Sequence, residues 1–138
     1  MHSRIWNTRT YQNGMDFSCA LVVEGVGNFR DLIVALLRKR GWLVHGTNGA
    51  EEALRLLAHI PYSLIVLDSE LPGMGGIDFV RMLQTLRAWP ATDVVVMTSS
   101  SSPSLQSQVG ECGAFVASKS SWEVDLFEFL ATQEGARA

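Results

Sequence analysis

Residues that build disulfide frameworks or zinc sites are scarce in this chain of 138 residues. It has two cysteines, Cys19 and Cys112, in separate apolar segments, which excludes a disulfide framework and a zinc cluster. The three histidines, His2, His45 and His59, lack the spacing of metal ligands. We therefore expect both thiols in the core and three isolated imidazoles that are exposed or partly buried.

Long apolar runs and a basic charge balance are also missing. No run approaches the roughly 18 apolar residues of a membrane span, and residues 1–17 lack the apolar stretch of a signal peptide. The net charge is −3 and the pI about 5.5, so no nucleic-acid footprint is indicated. Arg30, Arg38, Lys39 and Arg40 fall in one helical segment, which favours a solvated face over a phosphate-binding patch. These absences predict a reduced, cytoplasmic location without a membrane or direct nucleic-acid partner.

The hydrophobic fraction of 47% is sufficient for one packed core. We expect one domain over residues 18–133, a polar and unpatterned extension over 1–17, and a short tail over 134–138. Asn13 and Gly14 form a turn signal within that extension.

Short apolar runs alternate with segments of helical period. The predicted strands are 19–23, 42–45, 64–67, 94–97 and 115–117, and the predicted helices cover 29–37, 50–57, 79–86, 105–112 and 122–130. Continuous apolarity is typical of strands that are buried on both faces, as in a parallel sheet. The fourth helix is rich in Ser, Gln and Gly and is expected to be short or frayed. Asn48 with Glu51, and Ser120 with Glu123, have the spacing of helix caps.

Five strand–helix repeats predict a doubly wound α/β fold, flavodoxin-like, with a five-stranded parallel sheet of order 2-1-3-4-5. Ligands of such sheets bind outside the carboxyl ends of the strands. Chemistry is therefore to be sought where the predicted strands end.

Polar side chains follow four of these strands. Glu24 and Gly25 follow the first, Asp68 the third, Thr98 the fourth and Lys119 the fifth. Each has an ordinary explanation when taken alone: a turn residue, the start of a Ser-rich loop, a surface ammonium. Their convergence on one edge is the informative observation, especially since the chain has only two lysines.

At these positions the sequence resembles the receiver domains of the response regulators of two-component signalling. The matching pieces are Leu21-Val22-Val23-Glu24, Leu64-Ile65-Val66-Leu67-Asp68, Leu71-Pro72-Gly73-Met74, Val95-Val96-Met97-Thr98-Ser99, and Gly113-Ala114 leading to Lys119. The separations are 44 residues from Glu24 to Asp68, 30 more to Thr98 and 21 more to Lys119, similar to those of the family. Each motif is weak, but the ordered set is specific.

The resemblance implies that Asp68 accepts a phosphoryl group from a phosphohistidine. Thr98 and Lys119 would contact the phosphoryl oxygens, because this chemistry depends on positioning and charge neutralisation. Mg²⁺ would be held by Glu24, Asp68 and the backbone carbonyl of Glu70. Such a domain is a self-phosphorylating acceptor and no enzyme in the usual sense.

Three positions depart from the family pattern. Gly25 stands where a second acid usually contacts the metal, Ser120 replaces the proline after Lys119, and Val116 stands where an aromatic switch residue is usual. The alternative is therefore a degenerate receiver, a protein-interaction module that works without phosphorylation.

The implied partners are a histidine kinase or phosphotransfer protein upstream and a separate target protein downstream, with the oligomeric state open. Only a short tail follows the last predicted helix, so we expect signalling by docking, unless the chain is a fragment of a longer regulator. A nucleotide-binding reading of Gly25-Val26-Gly27 is disfavoured because Arg30 occupies the third glycine position. A hydrolase is disfavoured because the serines at 99–102 lack a nucleophile elbow.

Overall fold

The computed structural model of the chain describes residues 10–12, 15–86, 92–99 and 102–137. Five strands form the main sheet: β1 (Cys19–Val23), β2 (Leu43–Thr47), β3 (Leu64–Asp68), β4 (Asp93–Thr98) and β5 (Phe115–Ser118). Five helices follow them in turn: α1 (Gly27–Lys39), α2 (Ala50–Leu57), α3 (Gly76–Leu86), α4 (Pro103–Glu111) and α5 (Trp122–Arg137). A single 3₁₀ turn, Lys119–Ser121, joins β5 to α5.

The main sheet is parallel throughout, and its strand order is β2-β1-β3-β4-β5. This confirms the predicted order 2-1-3-4-5. In the register, Val22 lies opposite Val66, and Asp68 lies opposite Met97. The carboxyl ends of β1, β3, β4 and β5 therefore meet at one edge.

The central strand β3 contributes to a core on each face of the sheet. Ile65 and Leu67 pack with the buried side chains of α2, α3 and α4, whereas Leu64 and Val66 pack with those of α1 and α5. All four side chains are at most 1% exposed. Burial on both faces is the physical reason why this strand reads as a continuous apolar run.

The segment before β1 is more regular than the sequence indicated. Thr10–Gln12 and Met15–Phe17 pair as two antiparallel strands, where we expected an unpatterned extension. The turn signal at Asn13 and Gly14 lies between them, although those two residues are outside the described part of the chain. An Asn-Gly pair between two short segments is itself a sequence signal of a β-hairpin.

Two predicted helix caps are wrong. Helix α2 is capped by Gly49, not Asn48, and no side chain bonds to its first turn. At the other cap, the hydroxyl of Ser118 accepts from the backbone N–H of Ser120 at 3.3 Å and caps the 3₁₀ turn. Helix α4 is short, as predicted, and begins after a capping Ser102.

The basic segment at the end of α1 is exposed, as expected: Arg38, Lys39 and the capping Arg40 are exposed, while Arg30 is half-buried. Arg38 Nη2 donates to the backbone carbonyl of Val44 on the edge strand β2 at 3.3 Å. The methylenes of Arg30 lie beside the exposed Gly46 on the same strand, 3.4–3.5 Å from the position that a Cβ would take. The guanidinium of Arg40 lies 4.2 Å from the centre of the Phe127 ring. The three arginines therefore also contact β2 or α5.

Neither cysteine is in a disulfide, and Cys19 is buried while Cys112 is partly exposed. None of the helices in the described ranges has the length and apolarity that crossing a membrane requires.

Candidate functional site

The fold brings the predicted site residues to one edge of the sheet. Glu24 directly follows β1, Asp68 ends β3, Thr98 ends β4, and Lys119 follows β5. Glu24, Asp68 and Thr98 are 1%, 6% and 3% exposed. Buried polar groups at the ends of apolar strands require partners within the protein, so their contacts define the site.

The Asp68 carboxylate is held by two donors on one oxygen. Its Oδ1 lies 3.0 Å from the Lys119 ammonium and accepts the backbone N–H of Glu70, also at 3.0 Å. Glu70 begins a two-residue strand, Glu70–Leu71, which pairs with Met74–Gly75 directly after β3. The short hairpin therefore fixes the Glu70 backbone beside Asp68, while the Glu70 side chain is exposed.

The Lys119 ammonium lies between two acids, 3.0 Å from Asp68 Oδ1 and 3.5 Å from Glu24 Oε1. Partial burial lowers the pKa of Lys119, but the hydrogen bond and charge of Asp68, together with Glu24, outweigh burial and raise that pKa above its usual value. Lys119 is therefore firmly cationic at the edge where the two carboxylates meet.

Glu24 is the least satisfied group of the site. Its Oε2 accepts the backbone N–H of Val26 at 3.1 Å, but the buried Oε1 has no hydrogen bond. Burial raises the pKa of Glu24, and the nearby charge of Asp68 raises it further, against the opposing effects of Val26 and Lys119. A buried carboxylate oxygen that has an ion pair with Lys119 but no hydrogen bond, beside a second acid, is suited to a hard divalent cation.

The possible cation ligands are few. Across the described ranges, no three His, Cys, Asp or Glu side chains form a group that could hold a metal ion. Glu24 and Asp68 supply carboxylates, and the backbone carbonyl of Glu70 is the third oxygen that we predicted. Mg²⁺ commonly binds through one or two carboxylates and keeps several waters, so this oxygen set fits a weakly held Mg²⁺.

Gly25 has room for a side chain. Its φ lies outside the left-handed region, and a Cβ there would lie 3.8 Å from the Asn48 carbonyl and 3.9 Å from Pro72 Cδ. Both are ordinary van der Waals distances. The backbone therefore tolerates the acid that the family pattern places at this position.

Gly76 is a site residue that sequence reasoning missed. A Cβ at Gly76 would lie 2.8 Å from the Asp68 carbonyl oxygen and 2.8 Å from Ser69 Cα. Only glycine lets the start of α3 approach the backbone of Asp68 this closely. The available signal was the glycine-rich stretch Pro-Gly-Met-Gly-Gly at 72–76, because glycines near a functional strand often mark close approach of two backbones.

Arg30 is a second missed residue. Its Nη1 donates to the backbone carbonyl of Glu24 at 2.7 Å. This bond ties the first turns of α1 to the chain segment that carries the buried acid. No sequence signal distinguishes Arg30 from the other arginines of α1.

A cavity of about 460 Å³ opens beside Thr98. Its wall includes the half-buried Val116, which lies where the resemblance implies an aromatic residue. The other lining residues are Ser99, Gln106, Ser118, Ser120 and Asp125. Apart from Val116, the side chains that line the space next to Thr98 are polar.

Known proteins are similar to this chain in sequence and in fold. The response regulator receiver domain family matches residues 20–127. The sensory/regulatory protein RpfC of Xanthomonas campestris pv. campestris is 32% identical over 87 residues, which are 62% of this chain and 12% of RpfC. This chain thus matches a small part of that relative's length.

Solved structures give the same result for the fold. The chemotaxis response regulator CheY4 of Vibrio cholerae superposes with a TM-score of 0.77 and 21% identity, covering 84% of this chain and 98% of CheY4. A response regulator of Burkholderia pseudomallei, with a phosphorylated aspartic acid and a calcium ion, superposes with a TM-score of 0.68 and 23% identity, covering 74% of this chain and 59% of that one. At these identities the likeness concerns the fold.

Proposed function

The chain belongs to the response regulator receiver domain family, and from that premise we propose that it accepts a phosphoryl group on Asp68. The observation that carries the proposal is the Lys119 ammonium between Asp68 and Glu24 at the carboxyl edge of the sheet. Phosphoryl transfer needs an oxygen nucleophile with positive charge fixed beside it. Asp68 and Lys119 supply these two groups.

In the proposed step, a carboxylate oxygen of Asp68 forms a bond to phosphorus, and the P–N bond of a donor phosphohistidine breaks. The electron pair of that bond returns to the departing imidazole. Lys119 then neutralises a phosphoryl oxygen, since its ammonium already lies 3.0 Å from Asp68 Oδ1. Thr98, at the end of the neighbouring strand, donates its hydroxyl to another phosphoryl oxygen.

We assign the cation of this site to Mg²⁺, held by Glu24, Asp68 and the Glu70 carbonyl. A divalent cation held by these residues would neutralise charge on the phosphoryl oxygens. The buried Glu24 Oε1, which has no hydrogen bond, supports this assignment. We expect weak binding because position 25 is a glycine and not an acid.

The partners we propose are a histidine kinase or phosphotransfer protein as donor and a separate protein as target. Because position 116 is a valine, the proposed signal does not depend on an aromatic side chain that changes position together with Thr98. The loop after β4 and the neighbouring cavity are the surface that phosphorylation changes, and docking of the target there is the signal.

Intact mass spectrometry after incubation with Mg²⁺ and acetyl phosphate tests the proposal. We expect one added phosphoryl group, which Asp68→Asn abolishes. Asp31→Asn, an exposed aspartate on α1, is the matched control and retains the modification. Phosphorylation that persists in Asp68→Asn would overturn the assignment of Asp68.

Gly25 supports a second candidate function, a degenerate receiver that docks without phosphorylation. The missing carboxylate leaves two acids at the cation site. No phosphorylation with acetyl phosphate, or with any kinase, together with binding of a target by the unmodified chain, would favour this alternative.

A further inference from the structure

The backbone that carries Lys119 is held on both sides by one carboxylate. Asp125 Oδ2, in the first turn of α5, accepts the backbone N–H of Ser118 at 2.9 Å and the hydroxyl of Ser121 at 3.0 Å. Ser118 and Ser121 flank the lysine segment, so both ends of the 3₁₀ turn are bound to the same oxygen atom. The Ser118 hydroxyl also lies 2.8 Å from the Ser120 hydroxyl and closes the turn.

We propose that Asp125 is a positioning residue for Lys119: its bonds to Ser118 and Ser121 set the place from which the ammonium reaches Asp68. The effect on phosphorylation rests on the proposed function, but the effect on Lys119 itself does not. The position after Lys119 is Ser120 and not a proline, so the ring constraint on the backbone is missing there. The two hydrogen bonds that Asp125 accepts, from Ser118 and Ser121, are called the Asp125 clasp, and they supply a constraint from α5 instead.

Lysine needs such a constraint more than most residues. Its side chain has a flexible four-carbon stem, and the ammonium presents no fixed geometry of its own. A shift of the Lys119 backbone therefore changes where the ammonium can reach. Bonds that involve an ionised acceptor are stronger than neutral ones, which suits a carboxylate to this role.

A structural explanation competes with this proposal. Asp125 and Glu123 are both acids in the first turn of α5, where negative charge stabilises a helix. Glu123 is exposed, and none of the bonds described above involves it. Glu123→Ala therefore removes the same helix-dipole contribution as Asp125→Ala and leaves the clasp in place, which makes it the matched control.

The first test is competitive acylation of the two lysines with a limiting amine reagent, followed by peptide mass spectrometry. Lys39 is exposed on α1 and is an internal reference, whereas the Lys119 side chain is 23% exposed and paired with acids. In Asp125→Ala we expect the ratio of Lys119 to Lys39 labelling to rise roughly fivefold, the factor that corresponds to one hydrogen bond, because of the two bonds lost the one to the Ser118 backbone directly precedes Lys119. Asp125→Asn keeps an accepting oxygen and should restore most of the protection.

The second test is a double-mutant cycle on the rate of phosphorylation by acetyl phosphate. Asp125→Ala should slow the wild-type reaction roughly fivefold, again the factor for one hydrogen bond. In a Lys119→Ala background, Asp125→Ala should cause no further loss, because the residue through which it acts is already gone. An independent loss of the same size in both backgrounds would overturn the proposal.

Other outcomes are also decisive. An unchanged labelling ratio in a folded Asp125→Ala, or an equal rise in Glu123→Ala, would overturn the positioning role. If Asp125→Ala does not fold, Ser121→Ala removes one of the two hydrogen bonds to Asp125 and should still raise the ratio of Lys119 to Lys39 labelling. If the wild-type chain is not phosphorylated, the proposed function fails, but the labelling ratio still decides the role of Asp125.

Discussion

At the scale of single residues, we propose that the position after Glu24 sets how strongly the site binds a cation. Gly25 stands where the family pattern has an acid, yet its backbone has an ordinary φ and a Cβ there would meet its neighbours only at van der Waals distances. The backbone at position 25 can therefore accommodate the acidic side chain that the family pattern has there. A single substitution can measure what the missing acid contributes.

We predict that Gly25→Asp tightens Mg²⁺ binding by roughly tenfold or more, since even the outer partners of metal ligands are worth about tenfold in affinity. Isothermal titration with Mg²⁺ measures the change. Gly110→Asp adds the same charge on α4, where a Cβ also meets open space, and should leave the affinity unchanged. Equal affinities of Gly25→Asp and wild type would mean that position 25 is not at the cation site.

Glu24 makes the stability of the fold depend on pH. Because its pKa is raised in the folded chain, the folded state holds a proton between the ordinary value of 4.5 and that raised pKa, where the unfolded state has released it. The stabilisation that comes from the protonated Glu24 side chain is therefore fully present below pH 4.5 and is lost as the pH rises through the raised pKa of the folded chain.

The corresponding prediction compares wild type with Glu24→Gln, which does not titrate. In urea unfolding with a metal chelator present, the wild type should gain stability relative to Glu24→Gln as the pH falls from 7 towards 4.5. A free-energy difference that is the same at both ends of this range would show that Glu24 titrates normally.

At the scale of secondary-structure elements, the contact between the start of α3 and the end of β3 fixes the Asp68 backbone. We predict that Gly76→Ala lowers the free energy of unfolding by about 1–3 kcal/mol, as overpacking does, because its Cβ would collide with backbone atoms that have little freedom to move. Urea unfolding gives the value.

The neighbouring glycine provides the control for this substitution. A Cβ at Gly75 would lie 3.8 Å from Asp78 Oδ2 and 3.9 Å from the Ser69 carbonyl, so Gly75→Ala should change stability by no more than about 0.5 kcal/mol. If both alanine variants lose the same stability, the short hairpin and not the close approach is the sensitive feature.

The elements themselves were predictable from the sequence, but their ends were less so. The continuous apolarity of β3 predicted a strand buried on both faces, and its end at Asp68 followed from the change to polar residues. The cap of α2 was missed because Asn48 has the right spacing from Glu51 but lies one residue before the true cap, Gly49. Sequence spacing cannot show which residue turns its backbone into the helix.

At the scale of the whole molecule, stability depends on the two cores that the sheet separates. Leu126 on α5 is fully buried against the sheet, while its neighbour Phe127 is 49% exposed. We predict that Leu126→Ala lowers the free energy of unfolding by about 2–5 kcal/mol, through lost burial and a cavity.

Phe127→Ala should cost no more than about 1 kcal/mol, the value of the cation–π contact with Arg40. Thermal or urea unfolding of the two variants makes the comparison. A larger loss for Phe127 than for Leu126 would contradict the assignment of the core.

The candidate site was predictable where it depends on topology. Parallel strands bring Glu24, Asp68 and Lys119 to one edge, so their order along the chain was enough to place them together. The supporting contacts of Gly76 and Asp125 were not predictable, because they depend on distances between elements that no local pattern encodes.

Arg38 on α1 also occupies a backbone group at the open edge of the sheet. Leu43 and Thr47 use their backbone groups to pair with β1, so Val44 and Gly46 turn theirs outward. Unpaired backbone N–H and C=O groups on an edge strand can pair with a strand of a second molecule, and such pairing starts aggregation. Arg38 donates to the Val44 carbonyl, so a strand that pairs with β2 at this position must first displace a charged side chain.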